Sequence, residues 1–359
     1  MAAAAGALAL WGGCARIDVP EPDSKNAIVF NARMQLLKDD ASTKAGTFKE
    51  DFEVGDKIAV FGRRHGNNQS TDVFGETDPD TGIGTGTLVE KTSATAWTYS
   101  PLKAWYWLTE GDYYDFLGVY PSGKGTVRMD IPGNLAIETH YSISQSNYDL
   151  MYALYRRHYG SEADRRSAVP LVFRHTLSAV RIIFDNDSNS QDITINSYQF
   201  THMIVSADAK ATMDGIGNPD ITWINTTRNS DAVRSVTPTA TLAGKGKTGA
   251  HRYTGDFDFF IPTALNATSN GIAGNEDYMP HLTVRFTPAG QQAVVETSLL
   301  LKDIQRDPLN GDTTPVDIWE PGVRYTYHIS IRMDGAVQIT VVTTRWEEIS
   351  AETPGVMID

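Results

Sequence analysis

Along most of the chain, hydrophobic residues recur at every second position. In YTYHISIR, Tyr325, Tyr327, Ile329 and Ile331 fall on one face and Thr326, His328, Ser330 and Arg332 on the other, the alternation of a strand with one side in a core. Comparable short runs are AIVFNA, DKIAVFG, AWTYSP, YYDFLGVYP, PLVFRH, AVRIIFD, ITINSYQF, FDFFIP, HLTVRFTP, AVVETSLLL and VQITVVTTRW. Clusters of Gly, Asn, Asp and Pro such as DPDTGIGTG, GKGKTG and LNGD separate them, as turn residues separate strands. The pattern predicts an all-β chain built of antiparallel β-sandwiches. One segment, SNYDLMYALYRRHYGSEADRR, has two readings: a helix capped by Ser146 or Asn147 with Asp149 in its first turn, or a strand followed by a basic loop. The polar run Asp185 to Asp192 is the candidate linker between two halves of similar size. The expected division is a signal and tether over 1–24, an N-terminal domain over 25–186 and a C-terminal domain over 187–359.

Composition narrows the function. Across 359 residues, 41% hydrophobic and 10% aromatic content supplies enough apolar surface to offset the entropy of ordering. With 44 acidic against 31 basic groups the net charge is −13; nucleic-acid binding depends on clustered Lys and Arg and is not expected. A single cysteine, Cys14, excludes an internal disulfide, Cys-based zinc sites and a redox pair. The eight histidines show no metal-ligating spacing, and there is no nucleophile elbow or Walker loop. The GIGTG run, Gly82 to Gly86, lacks the lysine of a phosphate loop, and a loop between strands is expected there. DNDSNS begins like a calcium loop, but Ser190 stands where the sharp turn needs Gly and Asn196 where the last ligand is Glu. Adjacent acids such as Asp39/Asp40 and Glu347/Glu348 point to opposite faces if on strands. No catalytic residue, metal or cofactor is expected, and the chain does not read as an enzyme. Aromatic residues are dense instead: AWTYSPLKAWYW holds Trp97, Tyr99, Trp105, Tyr106 and Trp107, with Tyr113, Tyr114, Phe116 and Tyr120 beyond. They could stack on sugar rings, but the ordinary use of such rings in sheet cores is favoured.

The apolar run Ala2 to Trp11 is too short for the ~20 residues of a membrane span and matches the apolar region of an export signal. Gly12 and Gly13 precede Cys14, as small residues precede the lipidated cysteine of a bacterial lipoprotein. Trp11 occupies the position where an aliphatic residue is usual, and no Lys or Arg precedes the run. Cys14 is the lipidation candidate. IDVPEPDS, Ile17 to Ser24, reads as an extended tether.

From Ala27 to Trp346 an ordered set of segments resembles the fimbrillin-like proteins of Bacteroidota, the subunits of type V pili. AIVFNA is followed by Thr43, Lys44 and Ala45, then by Phe52, Gly55, Asp56, Ile58, Val60 and Phe61 in an F-x-x-G-D-x-I-x-V-F pattern. AWTYSPLKAWYW and YYDFLGVYP are similar to the family's aromatic segments. Phe173, His175, Leu177, Ser178 and Val180 match its F-x-H-x-L-S-x-V element, and IWEPGVRYTYHISI with VQITVVTTRW resemble its closing strands. The resemblance implies two tandem transthyretin-like antiparallel β-sandwich domains in a structural subunit (stalk, anchor or tip) of a surface fimbria that contributes to cell adhesion. It also implies delivery of a lipidated precursor to the outer membrane and a cut by a trypsin-like protease after a basic residue beyond the first strand, with Lys44 ranked ahead of Arg33 and Lys38. A strand from a neighbouring subunit then fills the opened groove; Val337, Ile339 and Val341, or the tail ending GVMID, are the candidate donors. The implied partners are other fimbrial subunits, the processing protease, the outer membrane through the lipid, and a host or bacterial surface glycan or protein. A glycan-binding outer-membrane surface lipoprotein is the alternative.

Overall fold

A computed structural model describes residues 27–35, 51–66, 69–75, 83–100, 105–107, 113–123, 127–130, 136–145, 147–213, 219–306, 314–332 and 337–345. In chain order the strands begin with β1 (Phe30–Met34), β2 (Lys57–Gly66), β3 (Gln69–Phe74), β4 (Ile83–Gly84), β5 (Thr87–Lys91), β6 (Trp97–Tyr99), β7 (Tyr113–Tyr120) and β8 (Val127–Asp130). They continue with β9 (Ala136–Ser142), β10 (Met151–His158), β11 (Val169–His175), β12 (Ser178–Asn186), β13 (Ile193–Thr201), β14 (Ile204–Met213), β15 (Pro219–Arg228), β16 (Val233–Val236) and β17 (Ala240–Leu242). The last are β18 (Arg252–Thr254), β19 (Asp258–Phe260), β20 (Thr263–Ala264), β21 (His281–Pro288), β22 (Val295–Leu300), β23 (Ile318–Trp319), β24 (Val323–Ile331) and β25 (Val337–Arg345).

These strands form four large sheets, as expected of an all-β sandwich protein. The first runs β1-β11-β10-β7-β2-β5-β6 with β3 on β2; the second runs β15-β14-β9-β8-β4. The third runs β18-β12-β24-β25 with β19 on β12, the fourth β16-β13-β21-β22 with β17 on β13, and β20-β23 is a short pair. The first and second sheets pack face to face, where the Tyr152 hydroxyl of β10 donates to the Ala209 carbonyl of β14 at 3.3 Å. The third and fourth do the same through Phe184 against Tyr198 and Phe200 against Phe260, with ring centroids 5.8 and 5.0 Å apart. One buried cluster runs through both pairs of sheets, from Phe61, Leu117 and Tyr141 to Phe260, Trp319 and Tyr327.

Two ladders are parallel, β1 with β11 and β12 with β24, and the other ladders are antiparallel. Residue 187 follows β12, and backbone pairing crosses that point in both directions: β12 pairs with β24, while the β14-β15 hairpin joins β9. The segment with two readings is a strand, β10, followed by a one-turn helix, α1 (Glu162–Arg166), whose cap Ser161 accepts from the Asp164 amide. The alternation of β10 is broken because both faces of its first half are buried, which leaves no polar stripe to mark a strand.

Candidate functional site

The first sheet curls until its two end strands approach each other. Burial alternates along β1: Ile28, Phe30, Ala32 and Met34 are buried, while Val29 is 48% exposed and Asn31 and Arg33 face solvent. The buried side chains enter a second apolar cluster inside the curl, with Phe52, Trp97, Trp107, Phe116 and Phe173 among its members. Phe30 meets Phe116 and Tyr99 edge to face at 5.6 and 6.0 Å, a favoured aromatic geometry. Backbone bonds hold β1 mainly on one side, to β11, over Phe30↔Val169 through Met34↔Phe173. On the other side the holds are few and sit near its start: the Ile28 amide donates to the Trp105 carbonyl at 2.8 Å, the Tyr99 hydroxyl donates to the Ile28 carbonyl at 2.6 Å, and Ala27 bridges Tyr106. Burial raises the Tyr99 phenol pKa far above its ordinary value, so the group stays a neutral donor.

The segment before β2 closes one part of the curl. Gly55 takes φ +99° with no atom within 4 Å of where a Cβ would sit, so its role is conformational. The turn inserts Phe52 against Trp97, Tyr120 and Phe173 at 5.1, 5.2 and 5.2 Å. Asp56 accepts from the Glu53 amide at 2.7 Å, and the nearly buried Lys91 donates to the Phe52 carbonyl at 2.6 Å. The F-x-x-G-D residues therefore build one plug. The aromatic-rich segments are also core: Trp97, Trp107, Tyr114, Phe116 and Tyr120 are buried, and Tyr113 is the exposed member.

The sequence-predicted site residues fall in three places. Arg33 lies on β1 with its side chain outward and its backbone paired to Val172. Cys14, Lys38 and Lys44, with the tail ending GVMID, lie outside the described residues. Val337, Ile339 and Val341 lie on β25, an edge strand paired with β24 from Val323↔Arg345 to Ile331↔Val337. Val341 is buried, and its amide donates to the Gln305 carbonyl at 3.1 Å. Sequence reasoning missed the seam between β1 and β6 and the contribution of Tyr99 and Trp105 to it. Their only sequence signal is their place in the aromatic run. Among the described residues no group of three or more His, Cys, Asp or Glu is arranged to hold a metal, and no helix is long and apolar enough to cross a membrane.

The profile of the fimbrillin-like family matches residues 43–346. No curated protein matches. Similar solved structures include a candidate cell adhesion protein of Bacteroides uniformis, at 15% identity and TM-score 0.49, covering 91% of this chain and 100% of that one. A fimbrial protein of Bacteroides vulgatus is similar at 13% identity and TM-score 0.48, covering 90% and 100%. A fimbrilin of Porphyromonas gingivalis is similar at 8% identity and TM-score 0.42, covering 89% and 99%.

Proposed function

The chain belongs to the fimbrillin-like family, and on that premise we propose that it is a structural subunit of a surface fimbria, exported as a lipoprotein through Cys14 and assembled by strand exchange. The observation that carries the exchange reading is β1 itself: an alternating strand whose apolar side chains fill a groove while its ladder runs along one edge. Removing such a strand exposes a row of backbone donors and acceptors on β11 and a line of apolar pockets, which an incoming strand satisfies by β-augmentation. A protease that cuts after Arg33 must act on a bond inside the paired strand, leaving Met34 and Gln35 behind. Lys38 and Lys44 lie beyond β1, so a cut there frees the whole strand, and Lys44 remains the preferred site. β25 is the preferred source of the donor because it is an edge strand with a single full ladder.

The test is limited trypsin digestion of the purified full chain. A subunit of this kind loses a short N-terminal piece and then forms SDS-resistant ladders. A protein that stays monomeric after the cut, yet is retarded on a polysaccharide affinity gel, is instead a glycan-binding surface lipoprotein.

A further inference from the structure

Among the described residues no backbone ladder closes the seam between β1 and β6. The seam holds a cleft of about 260 Å³ between Ile28, Val29 and Phe30 on one side and Trp97, Thr98 and Tyr99 on the other. Both inward-facing residues (Ile28, Phe30, Trp97) and outward-facing ones (Val29, Thr98) line it, so the gap passes between the strands rather than beneath the sheet. Backbone without a backbone partner among the described residues flanks it. On β6, Ser100 donates to the Leu88 carbonyl and Thr98 is opposite Glu90, so the alternation of an antiparallel pair turns the amides and carbonyls of Trp97 and Tyr99 away from β5. On β1, the Val29 carbonyl and the Gln35 amide bond β11, which turns the backbone groups of Phe30, Ala32 and Met34 toward the seam. None of these outward groups on Trp97, Tyr99, Phe30, Ala32 or Met34 has a backbone partner among the described residues.

We infer that this cleft is the entry point for an extended strand from a second copy of this chain, which pairs with the outward edge of β6 at Trp97–Tyr99 and then displaces β1 from its Ile28 end. The inference rests on the strand-exchange reading and adds where exchange begins. An apolar slot edged by unpaired amides and carbonyls matches an alternating β-strand, whose backbone supplies the missing partners and whose side chains fill the slot. The chain continues beyond Arg345, and each extended residue adds about 3.3–3.6 Å of reach, so a neighbour's segment after β25 can enter before its β25 leaves β24. The Tyr99 hydroxyl acts as the latch, because it holds the Ile28 carbonyl where displacement starts.

The experiment follows ladder formation over time by the trypsin-processed full chain at several protein concentrations. Thr98→Trp fills the cleft from an exposed position and is expected to slow assembly at least tenfold with an unchanged melting temperature. Tyr99→Phe releases the latch and is expected to speed assembly several-fold, while Thr95→Trp, in the adjacent exposed turn, assembles at the parental rate. Parental ladders with an unchanged rate in Thr98→Trp overturn the entry point and leave strand exchange standing. Tyr99→Phe assembling no faster than the parent overturns the latch. A ladder rate independent of protein concentration means that β1 leaves before the neighbour arrives, and it overturns the cleft as the entry point. Absence of ladders from the parent overturns both readings.

Discussion

Replacing Phe30 with alanine tests whether β1 is held by its side chains more than by its backbone. Phe30 is 4% exposed and sits edge to face against Phe116 and Tyr99. Each such ring pair contributes roughly 0.5–1.5 kcal/mol beyond buried area, and truncating a buried Phe typically costs about 3–5 kcal/mol in total. Because the ladder to β11 satisfies only one edge, little backbone pairing compensates for the lost packing. Urea unfolding of the unprocessed chain, followed by tryptophan fluorescence, should show Phe30→Ala destabilised by about 3–5 kcal/mol. Asn31→Ala, on the exposed face of the same strand, should stay within about 0.5 kcal/mol of the parent. If processing and assembly remove β1 as proposed, Phe30→Ala should then behave as the parent does. A Phe30→Ala protein within about 0.5 kcal/mol of the parent before processing, or one no worse than Asn31→Ala, refutes the reasoning.

Three further outcomes follow from the same geometry. Gly118→Ala would place its Cβ 2.6 Å from Phe173 Cζ, and the Phe173 ring is backed by Phe52; overpacking should cost about 1–3 kcal/mol, with partial recovery when Phe173→Leu is added. Lys91→Met removes the donor to the Phe52 carbonyl and leaves a buried acceptor, so a loss of about 1–3 kcal/mol is expected, together with faster chymotryptic cutting at Phe52. Burial, with His281 adding to it, lowers the His202 pKa below its ordinary value, so the unfolded chain takes up that proton first and stability falls as pH drops through the unfolded value, near 6.5. His202→Asn, which tolerates the left-handed backbone there (φ +58°), should flatten that part of a melting-temperature profile between neutral and mildly acid pH.

A strand with one buried face is legible from alternation, as in β1 and β11, whereas one with two has to be read from its content. β24 keeps its sequence alternation although its first five positions are all buried, and β7, buried at every position after Tyr113, is recognisable chiefly through its aromatic content. The β14-β15 hairpin was not anticipated at all: AlaAspAlaLysAla carries small alanines, which become core only because β9 lies alongside them. Nor does alternation encode pairing direction, so the parallel ladders of β1 and β12 could not be read from it. For the candidate site, the inward set Ile28, Phe30 and Ala32 was legible from period two. The plug made by Phe52 was visible only as a motif, because its neighbours Trp97, Tyr120 and Phe173 come from three distant strands.

The proposed strand exchange would require that the groove wall stay in place without β1, and the link after β11 offers such a support. His175, at the end of β11, is buried against Asp149 at 2.6 Å, and Thr176 bonds the Leu150 carbonyl through both its amide and its hydroxyl. The Thr176 carbonyl accepts from the Trp223 indole of β15 at 3.0 Å. Leu177 accepts from the Gly322 amide, and the Ser178 hydroxyl donates to the Glu320 carbonyl, next to the fully buried Trp319. Over four residues, His175 to Ser178, the chain is fixed to the segment before β10, to β15 and to the segment before β24. The two family motifs that look unrelated in sequence, F-x-H-x-L-S and W-x-P-G, therefore meet at one joint. That joint ties β11 to the segment before β24, so in the proposed exchange β11 would stay anchored at its end after β1 leaves. Its open edge then keeps the spacing that an incoming strand needs.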